Sequence, residues 1–414
     1  MRLGFTPGFP IGFAALAFSL SCGIEKEPAA AHKATVFGTD DPFDIPAAGL
    51  TAAEIEVFNV GDALFDLPLR DHDGLGPLFT RTSCGACHSE GVRGPGLVQK
   101  MVVVEADGWT PALDQSKLPF GHTVHPLATA DALTPILPPD GDATVKVTVR
   151  VGPPVLGRGY MEAVSDQEIE RVAAEQATRT DGIHGRVNHV IYASEANPDV
   201  RYHTHQPGDR LIGRFGLKAR IGSIDDFTAD AFQGDMGITS PLRPVEFANP
   251  DGLTDDLKPG IDVGIDSVNH RADYIRTIAI PARAATDTRG ATLFRQTQCA
   301  VCHVPTMRTR PDYPVAPLAG IDAPIYTDLL LHDLGGSRAD GLAEGEASGR
   351  DWRTAPLIGL RFNRQFLHDG SAATIEEAIL NHGGPDSEAY GSVADFQALS
   401  PGNRAALLAF VSSL

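Results

Sequence analysis

Four of the five cysteines in this 414-residue chain lie in two short segments that share one pattern. The first segment reads SCGACHSE and the second reads QCAVCHVP. In each, two residues separate the cysteines and a histidine follows directly, which is the attachment motif of a c-type haem. Cysteines one turn of chain apart can bond the two vinyl groups of a porphyrin, and the next residue then lies under the iron as an imidazole ligand. The predicted cofactor-binding residues are Cys84, Cys87, His88, Cys299, Cys302 and His303.

Three other uses of paired cysteines fit these segments less well. A disulfide within each pair would suit an exported protein but gives the following histidine no role. A shared zinc site would need ligands from two distant parts of the chain, and a thioredoxin-like redox pair lacks its βαβ setting. Both segments belong to a longer repeat, L-F-x-x-T-x-C-x-x-C-H, over Leu78 to His88 and Leu293 to His303. The repeat indicates two copies of one haem-binding unit, each with a helix running into its cysteine pair.

The second axial ligand decides what each haem can do, because a six-coordinate iron transfers electrons and an open one binds small ligands. His88 and His303 are the predicted first ligands. Met307 lies four residues after His303, too close to reach the opposite face of the ring, so a histidine is expected there. The candidates for the second haem are His332, His368 and His382. For the first haem an open position is equally allowed, and the candidate ligands are His122, His125, His184, His189, His203, His205 and Met236.

Composition and charge limit the partners. A net charge of −19 repels nucleic acid, so no nucleic-acid partner is expected. A cationic small protein or a neutral small molecule is an easier partner for such a chain. The 42% hydrophobic content is enough for a large buried core.

The N-terminus predicts export. Residues 1–22 carry one early arginine and an apolar run, Ile11 to Leu20, as in a secretory signal. Cys22 lies where a bacterial lipoprotein would be cut and lipidated, and a simple cleaved signal is the alternative. Residues 23–50 read as a flexible tether. The mature chain is therefore expected in the periplasm, touching the membrane only through an N-terminal lipid.

The repeated haem motif, together with the helical segments, predicts a mainly α protein of two cytochrome c-like haem domains, residues 51–283 and 284–414, with β and loop insertions in the N-terminal one. The clearest strand is DATVKVTVRVG, residues 142–152, which alternates apolar and polar residues. Helices are predicted after three caps, at Ser165, Thr374 and Ser400, the second helix ending at Gly383-Gly384.

Several longer segments carry a family resemblance. They are GLGPLFTRTSCGACH, GRFGLKA (213–219), GDMGITSP (234–241), YTDLLLHDLG (326–335) and DWRTAPLIGLRFNRQFLHDGSAATIEEAILNHGG (351–384). Together they resemble the bacterial di-haem oxidoreductase family, which is related to di-haem cytochrome c peroxidases and to the MauG enzymes. The resemblance covers the chain from about Gly74 to Leu414.

The resemblance implies roles for individual residues. His382 ends a segment that in relatives ends in the distal ligand of the C-terminal haem. Asp235, in GDMG, matches the Glu that acts as acid and base over the open face of the N-terminal haem. Phe215 lies near the position of a tryptophan found between the haems of relatives. Phe227 lies about where relatives carry the Gln that assists the peroxidase Glu.

The expected function is that of an exported di-haem c-type oxidoreductase with peroxidase-like chemistry. Hydrogen peroxide would react at the N-terminal haem, and electrons would enter at the C-terminal haem from a small cytochrome or a cupredoxin. A calcium ion is common among relatives, although no ligand set for it stands out in the sequence. One alternative is a non-catalytic electron-transfer cytochrome with both irons six-coordinate, and another is MauG-like oxidation of a protein or metal-bound partner.

Overall fold

The computed structural model describes residues 1, 4, 33, 35, 37–38, 45–89, 96–254, 257–285 and 288–414. The described residues from Lys33 to Leu414 form one compact unit. Cys22 and nearly all of the predicted signal lie outside the described residues, as does most of the predicted tether. No helix in the described part of the chain combines the length and the apolar character needed to cross a membrane.

Helices are the main regular elements of the described residues. The α-helices in the described ranges are α1 (Ala52–Asp66), α2 (Arg158–Ala163), α3 (Asp166–Ala177), α4 (Ile224–Met236), α5 (Ile265–Thr277), α6 (Thr288–Gln296), α7 (Cys299–Cys302), α8 (Ile375–Leu380), α9 (Tyr390–Ala398) and α10 (Pro401–Ser413).

The strands are short and form antiparallel pairs. They are β1 (Leu78–Phe79) with β3 (Leu127–Ala128), β2 (Leu97–Val103) with β4 (Val145–Val151), β5 (His189–Ile191) with β6 (Arg210–Ile212), β7 (Met307–Arg308) with β8 (Asp322–Ala323), and β9 (Leu331–Asp333) with β10 (Asp351–Arg353). The predicted strand is thus confirmed as β4, which pairs over its whole length with β2. Strands also occur in the C-terminal third, where the sequence predicted none.

The predicted helix caps are present. The Ser165 hydroxyl accepts from the backbone N–H of Glu168, and the Ser400 hydroxyl accepts from the third helical residue of α10. At α8, Thr374 and Glu377 cap each other reciprocally, which satisfies two backbone donors. α8 nevertheless ends at Leu380, before the predicted Gly-Gly stop, so His382 lies in the turn beyond the helix.

The two haem motifs are approached differently. α6 runs almost directly into the second cysteine pair, as the repeat predicted. The helix predicted before the first pair is wrong, because Leu78 and Phe79 form β1 and pair with β3. A left-handed Gly74, with φ of 102°, closes the preceding helical turn, a conformation that glycine adopts without strain. The β insertion therefore replaces one helix of the repeat.

Close helix packing holds each end of the chain. α1 packs on α5 at Gly61, where an added Cβ would lie 2.2 Å from the carbonyl oxygen of His270. α6 packs on α10 around Leu293 and Phe410. The largest buried cluster contains residues from both sides of residue 283, among them Phe58 and Leu330. The boundary predicted there stays a prediction.

Candidate haem-binding sites

The two cysteine motifs adopt the same one-turn backbone. The N–H of His88 donates to the carbonyl of Cys84 at 2.9 Å, and the N–H of His303 donates to that of Cys299 at 3.0 Å. The four motif cysteines are free thiols, with no disulfide in either pair. Each motif therefore presents two sulfurs and one imidazole from a single turn of chain, as a thioether-bound porphyrin requires.

Both motif histidines are fixed as neutral ligands. His88 donates from Nδ1 to the main-chain carbonyl of Pro153 at 2.8 Å, and His303 donates from Nδ1 to that of Tyr326 at 3.2 Å. A carbonyl only accepts, so Nδ1 carries the proton and Nε2 keeps its lone pair. Burial lowers the pKa of both histidines to about 4, which keeps them neutral at physiological pH.

The second motif lies on a cavity of about 240 Å³. Cys299, Cys302 and His303 line it. All three histidines predicted as candidate distal ligands line it as well, so the structure brings the predicted set together: they are His332, His368 and His382. Most of the remaining wall is apolar, with residues such as Phe294, Leu357, Leu360, Phe366, Ile379 and Val393.

Hydrogen bonding separates His382 from His332. His382 donates from Nδ1 to the carbonyl of Ala378 at 2.6 Å, the same arrangement as in the motif histidines. His332 instead faces two carboxylates, with Nδ1 at 2.7 Å from Glu388 and Nε2 at 2.9 Å from Asp328. Because both of its nitrogens are engaged, His332 has no lone pair left for a metal.

The third histidine is engaged through its ring face. His368 stacks on Trp352 with ring centroids 3.6 Å apart and an interplanar angle of 14°. The Nζ of Lys218 lies 4.1 Å from the centroid of the same Trp352 ring. By contrast, His382 lies close enough to His303 that a proton on His382 would lower the pKa of His303. The geometry therefore favours His382 as the partner of His303.

The first motif lies on a second cavity of about 90 Å³. Its lining includes the motif residues together with three side chains singled out from the sequence, namely Phe215, Asp235 and Met236. Of the seven predicted candidate ligands for this haem, all of which are described, Met236 alone lines the cavity. In the described part of the chain, His88 is the one histidine on its wall.

Other contacts engage three of the remaining candidates. His125 approaches from the β insertion and donates from Nε2 to the carbonyl of Gly234 at 2.8 Å. His203 is held by Asp225, with Nε2 2.9 Å from both carboxylate oxygens, and His205 stacks on His203 at 4.3 Å. These histidines have structural partners of their own.

Helix α4 brings Asp235 to the smaller cavity. The face of α4 turned to the cavity consists of Ile224, Phe227, Thr228, Ala231 and Asp235, the spacing of one helical stripe. The main-chain carbonyl of Asp235 accepts from the N–H of Thr80 at 2.7 Å and from its hydroxyl at 3.0 Å, which fixes the end of the helix. Burial raises the pKa of the Asp235 carboxyl, although Lys100 opposes the rise. A raised pKa makes this carboxyl a stronger proton acceptor than an exposed aspartate.

A thin wall separates the cavities. In the GRFGLKA loop, Phe215 faces the smaller cavity and Leu217 faces the larger one. Arg158 and Arg353 line both. The sequence prediction missed these arginines and Trp352, although Trp352 and Arg353 stand together in the DWRTAP segment that carries the family resemblance.

The described side chains do not match the zinc site or the calcium site that the sequence analysis considered. The two motifs line different cavities, so their four cysteines do not form one zinc site. In the described ranges, the one group of three possible metal-binding side chains is Cys302, Asp328 and His332, with donor atoms within 4.8 Å. Calcium prefers six to eight oxygen ligands, which this group does not offer.

The residues present fit a haem at each cavity. Each site combines two free thiols, a neutral imidazole with its Nε2 uncommitted, and a largely apolar enclosure. This donor set suits a thioether-attached porphyrin better than a hydrated cation.

Comparison with known proteins identifies the family. The sequence signature of the family described as "di-haem oxidoreductase, putative peroxidase" matches residues 140–414. The chain belongs to the di-haem oxidoreductases. Membership confirms the resemblance seen in the sequence, and it implies two haems and an oxidoreductase activity. No curated protein matches the chain.

Solved structures show distant likenesses. Hydrazine synthase from Kuenenia stuttgartiensis is 13% identical with a TM-score of 0.40, covering 98% of this chain and 100% of that one. The dihaem peroxidase BthA from Burkholderia thailandensis is 14% identical with a TM-score of 0.37, covering 92% of each chain. A variant of BthA is 14% identical with a TM-score of 0.39, covering 91% of each. The family assignment rests on the signature match alone.

Proposed function

We propose that this di-haem oxidoreductase is an exported, peroxidase-like enzyme with two covalently attached c-type haems. Peroxide would be reduced at the smaller cavity, and electrons would enter at the larger one. The observation that carries the proposal is the difference between the cavities. In the larger cavity, His303 and His382 each donate Nδ1 to a main-chain carbonyl, which leaves two Nε2 lone pairs for a metal. The smaller cavity has one such imidazole, that of His88, together with the carboxyl of Asp235.

The chain would hold each cofactor through its motif. The thiols of Cys84 and Cys87, and likewise those of the second motif, would bond the porphyrin vinyl groups. His88 and His303 would bind the irons through Nε2, and His382 would supply the second ligand in the larger cavity. A bound haem supplies one-electron redox chemistry and, where a position stays open, a place for a small ligand.

Asp235 would act as the acid and base in the smaller cavity. Reduction of hydrogen peroxide to two waters consumes two electrons and two protons. Asp235 would take a proton from one oxygen of the peroxide and give it to the other oxygen, which departs as water. Its raised pKa, caused by burial, suits this exchange. Aspartate is one methylene shorter than the Glu of relatives, and the anchoring of its backbone by Thr80 fixes how far it reaches into the cavity.

The electrons would come from a small redox protein. A six-coordinate site with two imidazoles transfers electrons without binding substrate, which suits the larger cavity as the entry point. The net charge of −19 favours a cationic donor, such as a small cytochrome or a cupredoxin. Export to the periplasm, with Cys22 as a possible lipid anchor, is part of the proposal and is supported by the first 22 residues.

One observation favours a second candidate, a non-catalytic electron carrier. Met236 lines the smaller cavity, and its thioether is a suitable sixth ligand. Electronic and EPR spectra of the purified holoprotein distinguish the two. A high-spin ferric signal that changes on adding peroxide supports the enzyme. Two low-spin haems whose spectra do not change with peroxide or cyanide contradict the enzyme. If a high-spin signal then appears only in Met236→Leu, Met236 is the sixth ligand of the first haem.

A further inference from the structure

The wall between the two cavities contains a buried positive charge that belongs to both. Four residues line the larger and the smaller cavity at once, namely Pro153, Pro154, Arg158 and Arg353. Arg353 is 6% exposed and ends strand β10. Any cofactor in either cavity would therefore lie against the same guanidinium.

Main-chain contacts hold Arg353 in place. Its N–H donates to the carbonyl of Leu217 at 2.9 Å, and its Nε donates to that of Gly216 at 3.0 Å. Its Nη1 donates to the carbonyl of Thr354 at 2.7 Å. No acceptor for Nη2 occurs among the described residues. The guanidinium is thus fixed to the loop that separates the cavities and keeps donor capacity for another group.

Carboxylates do not neutralise Arg353. The described residues contain no carboxylate within ion-pair distance of it. Buried Arg150, by contrast, pairs with Asp340 and Glu344. Burial lowers the pKa of Arg353 to about 10, because Asp328 compensates the charge only from a distance. A buried cation whose charge no carboxylate balances is costly, so the wall suits an anion.

We propose that Arg353 binds the propionate carboxylates of the haems and serves as a counter-cation shared by both sites. The inference rests on the proposed function, since each haem would bring two propionates. Guanidinium forks bind carboxylates in a fixed, bidentate geometry. A shared cation also favours an added electron in either cavity, so Arg353 raises the reduction potential of both haems.

Arg271 provides the matched comparison. It is as deeply buried as Arg353, and it lines the smaller cavity only. Its charge should act on the first haem and leave the second unchanged. Arg171, which lies on the exposed side of α3 and pairs with Glu168 and Glu175, should act on neither.

The test uses the full-length holoprotein. Intact mass first establishes that two porphyrins are attached, and midpoint potentials are then measured by spectroelectrochemistry. Arg353→Gln should lower the reduction equilibrium constant of each haem roughly tenfold, which is about 59 mV for one electron. Arg271→Gln should lower one potential, and Arg171→Gln neither.

The outcomes separate this inference from the proposed function. Wild-type protein without porphyrin overturns both. With two haems attached, the shared cation is overturned if Arg353→Gln changes neither potential or only one. It is also overturned if Arg271→Gln shifts both potentials. If Arg353→Gln does not accumulate, Arg353→Lys decides, because it keeps the charge and loses the fork. In resonance Raman spectra of Arg353→Lys, the haem propionate bending band should shift relative to the wild type. An unchanged band contradicts the proposal.

Discussion

His88 donates its Nδ1 proton to the main-chain carbonyl of Pro153 across 2.8 Å, and Pro153 belongs to the wall shared by both cavities. The next carbonyl, that of Pro154, accepts from Nε of Arg158 at 2.7 Å. The predicted ligand of the first haem and a cation facing both cavities are therefore held by two consecutive prolines. Proline fixes its own φ, so this support is rigid.

Removing the acid of the smaller cavity tests its assigned role. Asp235→Asn keeps the shape of the side chain and loses the proton exchange, so peroxide turnover should fall by about 10²–10⁴-fold. Asp235→Glu keeps the carboxyl and should retain most of the turnover. Steady-state reduction of peroxide with a chemical electron donor measures both, and intact mass checks that each variant carries two porphyrins. Equal turnover in the Asn variant and the wild type would remove Asp235 from the mechanism.

The three histidines of the larger cavity give a second prediction. His382→Ala should open one coordination position, seen as a new high-spin signal and as cyanide binding. His382→Met should keep the haem low-spin and raise its potential, because a His/Met pair stabilises the reduced iron relative to two imidazoles. His368→Gln should leave the spin state unchanged. If the high-spin signal follows the His368 substitution instead, the ligand assignment is wrong.

The local sequence predicts the haem-binding residues of each site, but it does not predict which residues line the rest of each cavity. Cysteine spacing, the following histidine and the caps at Thr374 and Ser400 are short-range features, so the sequence predicted them correctly. The sequence could narrow the distal ligand to three histidines, and all three line one cavity. What separates them is long-range, since His332 is engaged by Glu388, 56 positions further along the chain.

The same limit explains what was missed. The helix expected before Cys84 is replaced by β1, because Leu78 and Phe79 find partners in a distant insertion. Arg353 carries no local signal of its role, since its importance comes from the meeting of β10 with the Gly216 loop. Pairing and cavity walls depend on contacts between segments far apart, which periodicity does not encode.

The carboxylates around His332 predict a pH-dependent stability. Burial alone would lower the pKa of His332, but the charge of the Asp328 carboxylate and its hydrogen bond to the ring raise the pKa above its usual value. The pKa of Asp328 is lowered despite burial, mainly by His332. His332→Gln leaves buried carboxylates without their cation and should lower the free energy of unfolding by about 3–5 kcal/mol.

The sign of the pH effect follows from these directions. A raised histidine pKa stabilises the fold fully below about pH 6.5, and the contribution is lost as the pH rises through the raised value. The lowered carboxylate pKa contributes above about pH 4, and that part is lost on acidification. Denaturant unfolding from pH 4 to 9 should show the largest loss for His332→Gln near pH 5–6. Exposed His122→Gln is the control, and an equal loss in both variants would contradict the ion-pair account.

Helix packing around the second motif yields a matched pair of glycine substitutions. In α6, a Cβ on Gly290 would lie 2.4 Å from the carbonyl oxygen of Ala406, so Gly290→Ala should cost about 1–3 kcal/mol. In α10, Gly402 has no atom within 4 Å of such a Cβ, and Gly402→Ala should be neutral or slightly stabilising. Thermal unfolding of the two holoproteins gives the comparison. Equal melting temperatures would show that α6 and α10 are less closely packed than described.

Intact mass spectrometry of protein produced in a host competent for cytochrome maturation tests the central claim most directly. The account predicts a mass increase of two porphyrins that survives denaturation, because the bonds to sulfur are covalent. Replacing Cys84 and Cys87 by Ser should remove one porphyrin, and replacing Cys299 and Cys302 should remove the other. Bare polypeptide, or a zinc adduct in place of porphyrin, would contradict the account.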